Sequence, residues 1–303
     1  MLEFLVYNFP VSGVTTNILI PPLVALVVSF FTSMGGVSGA FLLLPFQVSA
    51  LNYTSPGVSG TNFIFNVVAI PSGVYRYLKE GRMAWPLAWV IVAGTVPGII
   101  IGYYIRIKIL PDPKSFKFFV GIVLLYIGIR LFLDVFKKKK TAQAKKFDQK
   151  LTKEATVKTI SFSIRKTEYE FWGERFSFST IGVFTLALII GIIGGTYGIG
   201  GGAMMSPFLV TFFKLPVHSI AGACLLGTFT ASIFGVFYYS VLPSGGLQTS
   251  PDWLLGLLFG FGGMIGIYLG ARAQKHVPQK YIKFILSIII IYLALRYITQ
   301  FFF

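Results

Sequence analysis

The chain has 303 residues, 55% of them hydrophobic and only 12% charged, with a mean hydropathy of +0.77 and a formal net charge of +16. This composition excludes a soluble globular protein and predicts that the lipid bilayer is the solvent. Because 12 of the 26 Lys and Arg residues lie in residues 137–178, the positive charge belongs to loops. It indicates membrane topology and contact with anionic lipid rather than nucleic-acid binding.

Apolar segments occupy most of the chain, at residues 18–50, 57–78, 84–107, 114–136, 179–213, 217–242, 251–274 and 279–301. Six of them have about the length that one helix needs to cross a hydrocarbon core of roughly 30 Å. The first and fifth are too long, since 33 helical residues would extend about 50 Å. Glycines interrupt both near the middle. We predict two short helices in each, 18–34 with 38–50 and 180–196 with 202–213.

The two halves of the chain repeat one another. An offset of 162 residues holds without a gap from residue 36 to residue 77, and an offset of 168 relates the spans that follow. The identical pairs are Gly36/Gly198, Gly39/Gly201, Pro45/Pro207, Phe46/Phe208, Val48/Val210, Gly60/Gly222, Ala69/Ala231, Gly73/Gly235, Val74/Val236, Tyr77/Tyr239, Trp85/Trp253, Gly94/Gly262, Gly98/Gly266 and Gly102/Gly270. A duplicated, glycine-broken hydrophobic unit is typical of membrane transporters. We predict a first transmembrane repeat at 1–136, a basic cytoplasmic linker at 137–178 and a second repeat at 179–303.

Topology depends on whether each broken segment crosses the membrane or turns back. If both cross, each half has four spans and the halves are parallel. If both turn back, each half has a re-entrant helix pair and three transmembrane helices, and the halves are inverted. Inversion places most basic residues on one face, leaving Arg106, Lys108, Lys114 and Lys117 opposite. Because Lys and Arg favour the cytoplasm, we predict the inverted arrangement, an all-α multi-pass protein of the inner cell membrane with both termini outside.

The linker has two parts. Lys137–Lys153 is a basic, solvated stretch, and apolar residues alternate with polar ones beyond residue 160. Alternation with a period of two predicts a small β-hairpin on the cytoplasmic face. A disordered tether is the alternative.

The helix breaks are the candidate binding site. Unwinding a helix in a bilayer leaves backbone N–H and C=O groups unpaired, which is tolerated where they line a polar cavity. Ser38 and Gly202 begin short helices, so free N–H groups and positive dipole ends would face the breaks and favour an oxyanion. The alternative, that glycines permit tight helix packing, is our preferred interpretation of Gly94, Gly98, Gly102, Gly262, Gly266 and Gly270.

Polar side chains follow each break. The first copy offers Ser59, Thr61, Asn62 and Asn66, and the second offers Cys224, Thr228, Thr230 and Ser232. Asn66 corresponds to Thr228 in the repeat. Amide and hydroxyl groups can donate to anion oxygens without the desolvation cost of a buried charge. Hydrogen bonding between helices is the competing interpretation, and Gln47 is a weaker candidate.

Several chemistries lack their residues in this sequence. No acidic residue is expected at a mid-span position, which argues against a carboxylate proton relay. With Cys224 as the only cysteine, a thiolate metal cluster is excluded, and we predict no cofactor.

The paired motif resembles that of the TauE/SafE sulfite exporter family. It reads Gly-Gly-Val-Ser-Gly, five residues and Pro in the first copy, and Gly-Ile-Gly-Gly-Gly, four residues and Pro in the second. The resemblance covers both hydrophobic halves but not residues 137–178. It implies a non-enzymatic transporter, usually an exporter, of small anions such as sulfite, sulfoacetate and other organosulfonates. The motif residues carried over are Gly36, Ser38, Gly39, Gly198, Gly200, Gly201 and Gly202.

The resemblance and the anion-facing breaks together predict transport by alternating access, with a small anion and the lipid bilayer as partners. An anion channel and a carrier of a non-sulfur organic anion are the alternatives within transport. An intramembrane enzyme or a structural subunit would belong to another class. Oligomeric state is left open by the sequence.

Overall fold

The structure is a computed structural model that describes residues 5–35, 37–136, 156–273 and 279–303. Helices of the first half are α1 (Ile20–Gly35), α2 (Ala40–Ser49), α3 (Gly57–Ala69), α4 (Pro71–Lys79), α5 (Trp85–Lys108) and α6 (Pro113–Phe136). Helices of the second half are α7 (Thr180–Tyr197), α8 (Gly202–Phe212), α9 (Val217–Val241), α10 (Trp253–Ala273) and α11 (Gln279–Phe302). The strands are β1 (Val6–Phe9), β2 (Val14–Asn17), β3 (Val157–Phe162), β4 (Lys166–Phe171) and β5 (Glu174–Ser179).

Six helices within the described residues are long and apolar enough to cross a membrane, which makes this a multi-pass membrane protein. They are Trp85–Lys108, Pro113–Phe136, Thr180–Tyr197, Ser219–Val241, Trp253–Gly270 and Lys280–Phe302. Both long apolar segments are broken where the sequence predicts, between α1 and α2 and between α7 and α8.

The prediction of a single span at 57–78 is wrong. Pro71 divides this segment into α3 and α4 and occupies the first turn of α4. Proline has no N–H and its ring clashes with the carbonyl four residues earlier, so it suits the start of a helix and ends the preceding one. The repeat equivalent is Ile233, and α9 runs through that position unbroken.

The second part of the linker forms a three-stranded antiparallel sheet, β3-β4-β5, one strand more than the predicted hairpin. The alternative of a disordered tether is therefore wrong for residues 157–179, while the basic stretch up to residue 155 lies outside the described residues. Hydrogen bonds join the sheet to the helical part of the chain. Val157 N–H donates to the Gly81 carbonyl at 3.0 Å, and the hydroxyls of Tyr169 and Ser219 lie 2.8 Å apart. Burial raises the pKa of Tyr169 to about 12, so this phenol stays protonated at physiological pH.

An antiparallel hairpin of β1 and β2 precedes the first helix and has no counterpart in the sequence predictions. Its residues Phe9 and Val14, which pair next to the turn, are buried. At its turn, the Ser12 backbone N–H and hydroxyl donate to Oδ2 of Asp252, at 3.1 and 2.7 Å. The same carboxylate accepts from the N–H of Leu255 at 3.0 Å, so Asp252 caps the start of α10 while holding the hairpin.

Helices of one half pack in parallel against helices of the other. Helix α5 lies along α7, with Gly94 beside Ala187 and Gly98 beside Leu188, and α1 lies along α10. A Cβ on any of the six regularly spaced glycines would meet backbone or Cβ atoms of the neighbouring helix. The contacts are Gly94–Ala187, Gly98–Leu188, Gly102–Ile192, Gly262–Pro22, Gly266–Leu26 and Gly270–Phe30. The packing interpretation of these glycines is therefore confirmed.

The last helices of the two halves, α6 and α11, run antiparallel. The Phe118 and Phe301 rings stack with centroids 4.5 Å apart near one end, and Lys283 Nζ lies 4.0 Å from Asp134 Oδ2 near the other. The chain also turns back at the second break. A Cβ on Gly182, early in α7, would lie 3.3 Å from the Phe213 ring, just beyond the end of α8.

Candidate functional site

Helix α3 lies between the two breaks, and Asn62 joins them. Its Nδ2 donates to the carbonyl of Ala40, the first residue of α2, at 3.1 Å and to the carbonyl of Gly198 at 3.0 Å. Its Oδ1 accepts from Nε2 of Gln47 at 3.3 Å. Asn62 and Gln47 are both fully buried. One amide thus pairs the Gly198 carbonyl, which lies beyond the end of α7 and has lost its helical donor, and adds a second hydrogen bond to the Ala40 carbonyl at the start of α2.

Three more side chains pair carbonyls at the breaks. Asn66 Nδ2 donates to Ile199 O at 3.0 Å, and Ser59 Oγ donates to Thr196 O at 3.1 Å. The Tyr197 hydroxyl crosses to the first break and donates to Phe41 O at 2.8 Å. The two breaks are therefore held together around α3 by side-chain hydrogen bonds.

Sequence reasoning named Asn62 and Asn66 as donors to an anion. In the structure their nitrogens donate to backbone carbonyls, which is the competing interpretation of hydrogen bonding between elements. Ser59 is also among the polar residues that the sequence offers, and its hydroxyl likewise donates to a backbone carbonyl, whereas sequence reasoning missed Tyr197. Tyr197 directly precedes Gly198, and that position next to the break was the available signal.

The second break presents backbone donors. Gly198 ends α7 in the left-handed conformation, with φ of 91°, and its N–H bonds to Gly194 O at 2.8 Å. Gly200 has φ of 71°, and Gly201 precedes α8 without a side-chain cap. Among the described residues, the backbone N–H groups of Gly200, Gly201 and Gly202 have no hydrogen-bond acceptor. These groups lie at the positive end of the α8 dipole.

Only glycine fits at these positions. A Cβ on Gly202 would overlap the Cys224 carbonyl, and one on Gly200 would lie 2.8 Å from Cγ2 of Thr228. Thr228 thus packs directly on the second break, while its own hydroxyl donates to Cys224 O at 2.9 Å. The missing side chains let α9 and Thr95 pack directly against the backbone of the break.

The first break is built differently. Ser38 Oγ accepts from the N–H of Ala40 at 3.3 Å, so its hydroxyl pairs the first N–H of α2, while the N-cap residue Gly39 offers no side chain. Gly39 is buried, and a Cβ there would lie 2.6 Å from Ser29 Oγ. Gly36, a predicted site residue, lies outside the described residues.

Thr61 is the predicted residue that faces away from the breaks. Its hydroxyl lies 3.2 Å from the Tyr53 hydroxyl and accepts from the N–H of Asp252 at 2.8 Å. It therefore links α3 to the start of α10, beneath the β1–β2 hairpin. The other described candidates, Ser38, Gly39, Asn62, Asn66, Gly198, Gly200, Gly201, Gly202 and Thr228, gather at the breaks.

The site is electrically neutral apart from its helix ends. The buried charged residues found in the described part of the chain are Arg106 and Asp252. Arg106 donates to Thr54 O at 3.2 Å and to Leu110 O, and its guanidinium lies 3.8 Å from the Phe116 ring centroid, so it is a structural residue of the α5–α6 turn. The same ranges contain no cluster of three His, Cys, Asp or Glu residues that could hold a metal ion.

Comparison with known proteins agrees with the paired glycine breaks. The family model described as "Sulfite exporter TauE/SafE" matches residues 22–297. The chain belongs to the TauE/SafE sulfite exporter family. It is therefore a membrane transporter protein by family, as the sequence motif implied.

Individual relatives carry only general names. "Probable membrane transporter protein YunE" of Bacillus subtilis (strain 168) is 24% identical over 278 residues, which cover 88% of this chain and 92% of the relative. A "Probable membrane transporter protein" of Xylella fastidiosa (strain 9a5c) is 22% identical over 89% of this chain and 92% of its own length. "Probable membrane transporter protein YdhB" of Bacillus subtilis (strain 168) is 26% identical over 34% of this chain and 40% of its own length. No solved structure matches the chain significantly.

Proposed function

We propose that the protein carries a small oxyanion, sulfite or an organosulfonate, across the membrane and binds it at the second helix break. The observation that carries this proposal is the set of three consecutive glycines, Gly200, Gly201 and Gly202, whose N–H groups have no acceptor in the described structure. Consecutive N–H groups at a helix start bind anions through hydrogen bonds and the helix dipole together. A sulfonate offers three acceptor oxygens to three such donors.

The neutrality of the site favours a monoanion. Arg130 contacts α8, but it donates to Pro207 O and Thr211 Oγ1 and not to the glycines. A second negative charge at the glycines would be desolvated without an ion pair to compensate it, and desolvation dominates in an interior of low dielectric constant. Sulfonates are monoanions, and sulfite is partly protonated to one near neutral pH. A non-sulfur organic monoanion is the remaining alternative in substrate class.

The membrane arrangement that we propose is a pair of inverted repeats. In an inverted pair, equivalent helices run in opposite directions, and α6 and α11 are equivalent and antiparallel. The turn between α7 and α8 supports a re-entrant pair rather than a crossing segment. The repeats would be 1–136 and 179–303, with residues 137–178 between them.

Charge supports an orientation. Helix α5 has the β3–β5 sheet at its N-terminal end, through Gly81, and the 242–243 turn at its C-terminal end, through Tyr103. The sheet end carries Arg76, Lys79 and Arg82 as well as the basic linker. We assign this end to the cytoplasm, which places both termini outside.

Interleaving of the halves constrains how access could alternate. Because α1 packs on α10 and α5 on α7 through glycine contacts, neither repeat can move as an independent rigid body. The moving units would instead be composite pairs, α1 with α10 and α5 with α7, which shift relative to α3 and the breaks. Export, as the family name indicates, is our proposed direction.

A thermal-shift series tests the binding site. Purified protein is incubated with methanesulfonate, sulfite, sulfoacetate, acetate or chloride, and with dimethyl sulfone as a neutral analogue of methanesulfonate. We expect the sulfur oxyanions to raise the melting temperature with saturation, because a ligand that binds only the folded state stabilises it. Dimethyl sulfone should have no effect. Equal stabilisation by the sulfone and the sulfonate, or none by any anion, would contradict the proposal.

A further inference from the structure

Two buried amide oxygens beside the breaks have no donor. They are Gln47 Oε1 and Asn66 Oδ1, which lack a hydrogen-bond partner among the described residues, and both side chains are fully buried. Neither amide can be turned around without loss, because Gln47 Nε2 donates to Asn62 Oδ1 and Asn66 Nδ2 donates to Ile199 O. The two oxygens are therefore unsatisfied acceptors, which a hydrogen-bond donor or a cation could satisfy.

The amides that carry the two oxygens are connected through Asn62. Asn62 and Asn66 are one helical turn apart on α3, about 6 Å along its axis. Gln47 reaches Asn62 from α2, and Asn66 reaches the second break. The carbonyls of Ala40, Gly198 and Ile199 accept hydrogen bonds from Asn62 and Asn66 and lie beside these amides. Helix α7 ends there as well, and a helix C-terminus carries partial negative charge.

The geometry points to a binding site for a sodium-sized monovalent cation at this junction, with Gln47 Oε1 and Asn66 Oδ1 as side-chain ligands and break carbonyls completing the shell. Sodium is held in broken-helix transporters by such neutral oxygens and helix C-terminal ends. A divalent ion would need carboxylates, and Asp252, the buried acidic residue of the described ranges, bonds Ser12 and Leu255 instead.

A cation here would also favour anion binding. Asn66 contacts Ile199, which directly precedes the glycines whose N–H groups form the proposed anion site. An anion and a cation that are bound together form a neutral pair, so each lowers the desolvation penalty of the other. We therefore infer that the cation is bound together with the anion. This coupling rests on the proposed function, whereas the cation site itself does not.

The first experiment needs no anionic substrate. The melting temperature of the purified protein is measured in sodium chloride and in choline chloride at equal ionic strength, and we expect saturable stabilisation by sodium only. Gln47→Met removes an oxygen ligand and should abolish the sodium-dependent shift. Gln47→Glu keeps the oxygen and adds negative charge, so at pH 8 it should strengthen sodium binding about tenfold. Ser287→Ala, which alters a buried hydroxyl bonded within α11, is the control and should respond like the parent protein.

The opposite signs of the two Gln47 variants keep the test decisive if one of them folds poorly. Equal melting temperatures in sodium and choline, or an unchanged sodium response in both variants, would overturn the cation site.

The second experiment separates the two proposals. Sulfite and methanesulfonate affinities are compared in sodium and in choline, and we expect sodium to tighten binding, within the roughly 5- to 150-fold range of typical coupling. Anion binding that is indifferent to sodium would overturn the coupling and leave the proposed function intact. Sodium stabilisation without binding of any anion would support the cation site and overturn the proposed function.

Discussion

Replacing Asn62 by alanine should destabilise the protein more than any other single amide substitution at the breaks. Its Nδ2 pairs two buried carbonyls from different breaks, whereas Asn66 pairs one. A buried carbonyl left without a donor costs about 1–3 kcal/mol, but interhelical hydrogen bonds in membranes average only about 0.6 kcal/mol. Asn62→Ala leaves the Gly198 carbonyl without a donor and Gln47 Nε2 without an acceptor, so we expect a loss of about 1–4 kcal/mol in the free energy of unfolding, roughly twice the loss for Asn66→Ala.

The assay is reversible unfolding of each variant in mixed micelles, followed by far-ultraviolet circular dichroism. Ser240→Ala serves as a control, because the Ser240 hydroxyl bonds only within its own helix, to Val236 O at 2.7 Å. It should remain within about 0.5 kcal/mol of the parent protein. If Asn62→Ala were no more destabilising than Ser240→Ala, Asn62 would not hold the breaks together.

Three further predictions concern the packing at the second break, the membrane topology and the pH dependence of transport. Gly202→Ala should give no monodisperse protein in size-exclusion chromatography, because its Cβ would overlap the carbonyl of Cys224. Gly73→Ala is the control and should be tolerated, because its Cβ meets only a flexible side-chain methyl. Equal yields of the two variants would refute this prediction. Single cysteines at Glu80 and at Gly246, in a Cys224→Ala background, should react with impermeant maleimide from opposite sides of the membrane, and labelling from the same side would exclude inverted repeats. Methanesulfonate flux at clamped membrane potential should vary little between about pH 6 and 8, because neither the ligand nor the site residues titrate there, so a tenfold rise on acidification would expose an overlooked proton-binding group.

Local sequence signals located the breaks but not their partners. Glycines interrupt two apolar segments of excessive length, and the breaks between α1 and α2 and between α7 and α8 follow directly. The bond from Asn62 to Gly198 spans 136 residues, and nothing in the local sequence pairs them. Three-dimensional packing decides that the Asn62 amide pairs with backbone carbonyls rather than pointing into open space.

Three differences between the structure and the sequence predictions have identifiable causes. Pro71 lies inside an otherwise continuous apolar stretch, and hydropathy alone cannot register the helix break that it imposes. The β1–β2 hairpin is short, and its stability depends on Asp252, which lies 240 residues after Ser12. Arg106 counted against the predicted topology as a misplaced cation, yet it is fully buried and donates to backbone carbonyls. Its position therefore reflects the packing of a turn rather than membrane orientation.

The central claim is that the glycine break formed by Gly200, Gly201 and Gly202 binds and carries a small oxyanion. The most direct measurement is uptake of radiolabelled sulfite by liposomes that contain the purified protein, with and without unlabelled sulfite on the opposite side. We expect saturable uptake that is stimulated by substrate on the opposite side. Gly201→Val should abolish this uptake, because a β-branched side chain at this position would collide with Thr95 and block approach to the N–H groups. Non-saturating uptake without trans-stimulation would indicate a channel. Unchanged uptake by a folded Gly201→Val variant would contradict the claim.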